Sequence, residues 1–383
     1  MLTTRIEFVP TKDEEVFSAV PAAPAVFLLR ADDSQSEPYV SKTANLRRRL
    51  QRLIGVATER SKRLNLRDRV RWIEFMPTGS DFESGFLLYR LLRSTFPSTY
   101  SARLRLRFAP LIKLHLENEY PRASLTTRLG RLNSKNLYYG PFASRAAAEQ
   151  FMNDSLDFFK MRRCVDDLHP DPAFPGCIYS EMKMCLAPCF KGCTDAHYRS
   201  EVERVQGYFG SGGESLVREI SAQRDQASLD LRFEDASALH TRLEKLKPVL
   251  AQLPEIVREI DQFTGLIVQP SATGGSVALF RVDAGQISGP ATFSIQPAEH
   301  SKSQSMESRV EEAVAAIGVS DSKAALETME HMAILKRWYY RSSRAGGIFL
   351  VDSKGELPMR RVVRGIARVY RGEKQEAPVP GPL

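Results

Sequence analysis

The chain has 383 residues, a formal net charge of +8 and 43% hydrophobic residues. That length suits two or three domains, each with its own core, and the composition is ordinary for a soluble protein. No apolar run is long enough to span a bilayer, and the N-terminal MLTTRIEFVPTKDEE lacks a signal-type apolar stretch, so no membrane partner is expected and the location expected is cytoplasmic.

The positive charge is unevenly placed. From Arg47 to Arg71 there are ten Arg or Lys and two acids. Residues 14–20 read as a short helix ending at Pro21. AVFLLRA (25–31) reads as a buried strand and YVS (39–41) as a second strand after a polar turn. A basic helix then opens at Lys42. VRWIEFMP (70–77) is a third strand, and 83–96 an amphipathic helix that stops before Pro97. The basic segment suits phosphate, so Arg47, Arg48, Arg52, Lys62 and Arg63 are candidate DNA contacts of a salt-sensitive, sequence-independent kind. A solvated helix face is the plain alternative.

Residues 103–137 alternate in hydropathy, which suggests strands crossing a small sheet. Gly140-Pro141 marks a turn. Ser144 is a candidate N-cap for a helix whose Phe151, Leu156 and Phe159 form a core stripe. All five cysteines follow: Cys164, Cys177, Cys185, Cys189 and Cys193, with gaps of twelve, seven, three and three. In a reducing compartment such clustering points to metal ligation rather than disulfides. A sulfur-only set favours zinc or an iron–sulfur cluster, and the long gaps suit a cluster wrapped by a loop and a helix turn. Reduced cysteines without metal are the third option.

Thr194 or Asp195 can cap the next helix. Residues 215–231 and 233–250 then form an antiparallel helical hairpin joined around Arg232, with apolar residues at helical spacing. Such a hairpin is too small to bury its own face, which invites either a partner helix pair or packing within this chain. Residues 263–295 read as three strands, 305–317 and 321–340 as helices, 347–351 as a strand and 359–370 as a last helix. The stretch LKRWYYRSSR mixes aromatics and cations, as a site for single-stranded DNA would; a partly buried helix end fits slightly better. The end, 372–383, is expected to be disordered by composition.

Several of these motifs resemble one family. Pro24-Ala-Val-Phe27 and Tyr39-Val-Ser41-Lys42-Thr-Ala-Asn45-Leu-Arg47-Arg-Arg49 resemble the GIY-YIG nuclease domain at the front of UvrC-type excinuclease subunits. The resemblance implies catalytic roles for Tyr39, Lys42 and Arg49, with Mg²⁺ or Mn²⁺ if the site is active. It also departs: Ala25, Phe27 and Ser41 replace motif residues, the metal glutamate falls at Tyr89, and a later asparagine falls at Ser101. A phenol is a poor ligand for Mg²⁺, and Glu83 lies on another part of the helix. The cysteine stretch resembles the UvrC segment RxC…C…KRCxAPC, which implies a [4Fe–4S] cluster on Cys164, Cys177, Cys185 and Cys189, with zinc as the alternative and Cys193 a spare. Leu231-Arg-Phe233-Glu234-Asp-Ala236 resembles the UVR motif, so Leu231, Phe233, Ala236 and Leu239 would meet a UvrB-like helicase subunit.

The expected architecture is therefore α+β and multidomain: a degenerate GIY-YIG-like domain (14–103), a cysteine-bearing linker (104–195), a UVR hairpin (196–252) and a truncated α/β domain (260–371). The family's C-terminal RNase H-like endonuclease is not expected, since the aspartates and histidines after residue 260 show no metal-site spacing. The function expected is a DNA-binding nucleotide-excision-repair protein of doubtful incision activity. A non-catalytic adaptor and a DNA-bound iron–sulfur redox sensor are the alternatives.

Overall fold

The computed structural model describes residues 2–33, 36–56, 64–130, 135–165, 167–296, 304–318 and 324–376. Lys62 and Arg63 lie outside the described residues. The architecture is α+β, with three four-stranded sheets and a two-stranded ribbon among the described residues.

The first module runs β1 (Thr4–Glu7), α1 (Asp13–Ala19), β2 (Ala25–Arg30), β3 (Tyr39–Thr43), α2 (Leu46–Ile54), β4 (Trp72–Pro77), α3 (Asp81–Thr95) and α4 (Tyr100–Leu104). Its antiparallel sheet has the order β1-β4-β2-β3. The period of two along β2 explains the layering. Ala25, Phe27 and Leu29 pack with Leu46, Leu50, Leu53 and Ile54 of α2, whereas Val26 and Leu28 pack with Leu87 and Leu91 of α3. The basic helix starts later than its composition suggests. Lys42 and Thr43 stay in β3, paired with Val26 and Ala25, and Asn45 caps α2 by accepting from Arg48 N at 3.0 Å. Strand β1, not anticipated from sequence, pairs with β4.

The alternating stretch after 103 is only partly strand. Its first residues end α4, which closes on Arg105 in the left-handed region (φ 49°), with the Arg103 guanidinium 3.9 Å over the Phe96 ring. Local packing onto α3 thus overrides the alternation. The middle module then holds β5 (Leu111–Leu114), β6 (Ala123–Thr126), β7 (Leu137–Gly140), α5 (Arg145–Leu156), α6 (Ile178–Glu181), α7 (Asp195–Gly210), α8 (Glu214–Leu229), α9 (Phe233–Ala251) and β8 (Arg258–Glu259). Sheet order is β6-β5-β7-β8. Ser144 and Thr194 cap α5 and α7. Phe151, Leu156 and Phe159 are core, together with Leu216, Ile220, Leu243 and Leu246 from the base of the hairpin. The hairpin is therefore rooted in this module, and β8 returns the chain to its sheet.

The last module holds β9 (Gly265–Pro270), β10 (Ser276–Asp283), β11 (Gln286–Ser294), α10 (Met306–Ala315), α11 (Ala325–Tyr339), β12 (Ser343–Ala345), β13 (Gly347–Leu350), α12 (Met359–Tyr370) and β14 (Lys374–Glu376). Its sheet is antiparallel throughout, in the order β11-β10-β9-β13. One face carries α10 and α12. The other packs on α11 and also on Phe82, Phe86 and Tyr89 of α3. Helix α3 is thus shared between the cores of the first and last modules. Trp338 and Tyr339 are buried, so the aromatic-cationic stretch is a packed helix end. The expectation of disorder over 372–383 fails for Lys374–Glu376. These residues pair with β12, and the Gln375 side chain accepts from Arg344.

Candidate functional site

Tyr39 and Arg49 come together on one face of the first sheet, where the Arg49 guanidinium donates to the Tyr39 hydroxyl at 2.8 Å. Tyr39 lies at the α2 side, its ring 6.0 Å from that of Phe27. Strand alternation sends Lys42 to the opposite face, toward α3. There its ammonium lies 2.5 Å from Asp81, which also pairs with Arg341 at 2.7 Å. Burial alone would raise the Asp81 carboxyl, but Lys42 and Arg341 outweigh it and hold the group below the usual carboxylate range. Lys42, Arg103, Arg337 and Arg341 flank a narrow cleft of about 130 Å³ between the first module and α11, with Asp81 as its acid. The three candidate catalytic residues therefore do not share one site: Tyr39 and Arg49 form a pair, and Lys42 belongs to another cluster.

Among the arginines of α2, Arg48 and Arg52 are exposed. Arg47 instead donates to the carbonyls of Val20 and Ser18, stapling the end of α1.

Tyr89, where the resemblance would put a metal glutamate, turns away from Tyr39 into the core shared with the last module. It is 1% exposed, and its hydroxyl donates to Glu330 at 2.8 Å. Tyr100 donates to the other oxygen of the same carboxylate at 2.9 Å. Arg93 donates to the Tyr89 oxygen at 2.9 Å and pairs with Glu327 at 2.6 Å. Burial, then the neighbouring Glu330 carboxylate, push the Tyr89 phenol well above its ordinary range. His331 accepts from the Ile287 amide through Nδ1. Burial, helped by Arg93 and Arg90, lowers its pKa to about 3, so the ring is neutral near pH 7. Glu83 is no substitute ligand. It is buried, accepts from the Gly79 amide at 2.7 Å, and burial raises its carboxyl to about 7.

Sequence reasoning passed over Glu327 and Glu330 because it weighed aspartates and histidines after residue 260. The available signal was the spacing of Glu327, Glu330 and His331 at i, i+3 and i+4, which puts all three on one face of a helix.

The thiols gather in the loop between α5 and α7. Cys185 feels the charge of Cys164, Cys189 and Cys177. Burial first and then these neighbours raise its pKa to about 11, against a backbone N–H from Ala187. Cys189 is raised by burial and then by Cys177 and Cys164. Cys193 stands apart, raised by burial, Asp195 and Cys189 alone. Among the described residues no three His, Cys, Asp or Glu side chains close into a group that a single ion would hold. The donor set is nonetheless all sulfur, with Arg162 donating to Cys164 Sγ at 3.4 Å. That donor chemistry is of the sulfur-only kind that zinc or an iron–sulfur cluster takes.

At the hairpin tip Leu231 and Phe233 are 73% and 64% exposed, beside exposed Leu229. Ala236 and Leu239, further along α9, are half-buried.

Residues 109–207 match the family model for the UvrC/Cho excinuclease middle domain. The chain is 28% identical to UvrABC system protein C of Rickettsia africae (strain ESF-5) over 225 residues, 58% of this chain and 35% of that protein. It is 27% identical to the protein of the same name from Rickettsia bellii (strain RML369-C) over 232 residues, 60% of this chain and 36% of that protein. The chain thus spans about a third of the length of the curated relatives it matches. No solved structure matches it significantly. Among the described residues no helix is long and apolar enough to cross a membrane.

Proposed function

We propose that this UvrC-like chain is a DNA-binding nucleotide-excision-repair protein that acts on damaged or branched DNA and does not cut it through its first module. One observation carries the second half of this reading: the residue in the metal-glutamate position, Tyr89, is buried and committed to Glu330. Phosphodiester cleavage of the GIY-YIG kind needs a divalent ion to absorb charge on the phosphate. Among the described residues no carboxylate is seen to partner Tyr39 or Arg49, and Asp81 is neutralised by two cations on the other face of the sheet. What remains is suited to holding DNA. Arg48 and Arg52 are exposed on α2, and the Tyr39–Arg49 pair presents a hydroxyl and a guanidinium to a phosphate. A [4Fe–4S] cluster on Cys164, Cys177, Cys185 and Cys189, rather than zinc, would close the thiol loop. The exposed tip of the hairpin favours a UvrB-like helical partner and supports a second reading, a non-catalytic adaptor that works through that partner.

The test is a nicking assay on bubble DNA with the full chain in Mg²⁺ or Mn²⁺, with binding measured in the same samples. Bound but uncut DNA is expected. Cleavage that the Tyr39→Phe variant abolishes would restore a working nuclease. Absence of any DNA binding would leave only the adaptor.

A further inference from the structure

The strongest unassigned cationic surface lies on the last module. Helix α12 buries Val362, Ile366 and Val369 against the sheet. Gly365 permits the close approach, because a Cβ there would meet the Phe349 ring at 2.0 Å. On the outer side Arg361, Arg364, Arg368 and Arg371 recur at spacings of three, four and three. That pattern makes one stripe along about 15 Å of helix. The stripe lines a groove of about 510 Å³ that Arg344, Glu255 and Gln375 complete.

Charge in this groove is not balanced. Arg361 pairs with Glu255 and Arg371 with Glu373. Among the described residues no acid pairs with Arg364 or Arg368, and Arg364 donates only to the Arg360 carbonyl. A second, independent observation lies at the groove wall. Arg344 is 8% exposed and fixed by three contacts: Nη1 to the Tyr339 carbonyl, Nη2 to Gln375, and its guanidinium 4.1 Å over the Tyr339 ring. Its Nε is buried without a hydrogen-bond partner. The fixed guanidinium gives the groove wall a preorganised positive charge.

We infer that this groove binds the phosphodiester backbone of a nucleic acid, as a second contact surface besides the arginines of α2. Regularly spaced guanidiniums match a ligand whose anionic groups also repeat, and their planar forks suit phosphate oxygens. An acidic protein is the weaker fit, because a protein interface needs an apolar anchor. The exposed large apolar residues lie elsewhere, mostly in the cysteine loop and on the hairpin; on α12 the exposed one is Tyr370, which does not line the groove. The inference rests on the reading that this chain binds DNA.

Fluorescence anisotropy of the full chain with a labelled bubble duplex, titrated between 50 and 200 mM salt, tests it. Arg364→Ala/Arg368→Ala should lower affinity on the order of tenfold and make the salt slope shallower by about two. Lys245→Ala/Lys247→Ala on the hairpin removes the same charge and should change neither. Unchanged binding by a groove variant whose circular dichroism is native overturns the inference. So does an equal loss in the hairpin variant, or a polyglutamate peptide that needs Arg364 and Arg368 while DNA does not. Arg48→Ala/Arg52→Ala separates the two surfaces. Loss there with none at the groove sinks only the groove. The converse sinks only the α2 contacts, and no DNA binding by the unmodified chain sinks both.

Discussion

At the scale of single residues, Tyr89 is fixed by its partner rather than by solvent or an ion. A glutamate there would add a second carboxylate beside Glu330, in a core where Arg93 already answers Glu327. The tyrosine instead supplies an uncharged donor, and with Tyr100 it satisfies both oxygens of a carboxylate that is 1% exposed. A buried charge is tolerated only when hydrogen-bonded in this way. Tyr89→Phe should therefore lower stability by about 1–3 kcal/mol, the usual cost of leaving a buried acceptor unpaired. Tyr89→Glu should cost more and should not generate nicking. Denaturant midpoints of the two variants check the order, and a Tyr89→Phe protein as stable as the parent would contradict it. The resemblance singled out Tyr89 but gave no sign of its partner. Glu330 is 241 residues further on and reaches Tyr89 only through tertiary packing.

At the scale of elements, the hairpin divides into a root and a tip. Leu216, Ile220, Leu243 and Leu246 are buried in the middle module, and Leu246→Ala should cost about 2–5 kcal/mol. The tip is different. α8 ends in a Schellman-like turn, with the Arg232 amide bonded to the Ala227 carbonyl at 2.8 Å and Leu231 in the left-handed region (φ 60°). That position normally takes glycine. A leucine that is strained and also 73% exposed contributes little to the fold. Leu231→Gly should leave stability equal or slightly raised, while Leu231→Gly/Phe233→Ser weakens capture of a UvrB-like helical partner, measured by calorimetry. Full partner affinity in the double variant would refute the tip as anchor. Periodicity made both helices and their antiparallel pairing legible in the sequence. It could not show that only the lower half is covered, because the covering residues, Phe151 and Phe159 among them, come from α5 and the turn after it. The late start of α2 was hidden for a related reason: apart from Ala44 and Leu46 the Lys42 to Arg49 run is polar and basic, and the strand register of β2 and β3, not composition, holds Lys42 extended.

At the scale of the whole molecule, the packing between modules and the packing of the cysteine loop differ in kind. The first and last modules share an apolar core through α3, where Phe82 meets Phe280 edge-on at 5.2 Å. The cysteine loop has no comparable core. Between Leu156 and Asp195 its regular α-helix is the four-residue α6, and it is held by isolated bonds such as Asp171 N to the Cys189 carbonyl and Leu186 N to the Lys160 carbonyl. Ligation by four thiolates would cross-link a segment of this length with so little secondary structure. Anaerobically purified protein should therefore show the broad visible absorption of an iron–sulfur cluster. Cys185→Ser, which removes the thiol coupled to three others, should abolish it, and Cys193→Ser should leave it intact. Because the thiol loop belongs to the middle module, loss of the cluster should melt that module first, giving two thermal transitions where the loaded protein shows one. A colourless, zinc-containing protein would refute the cluster. A single unchanged transition in Cys185→Ser would show that the loop is held by its protein contacts alone.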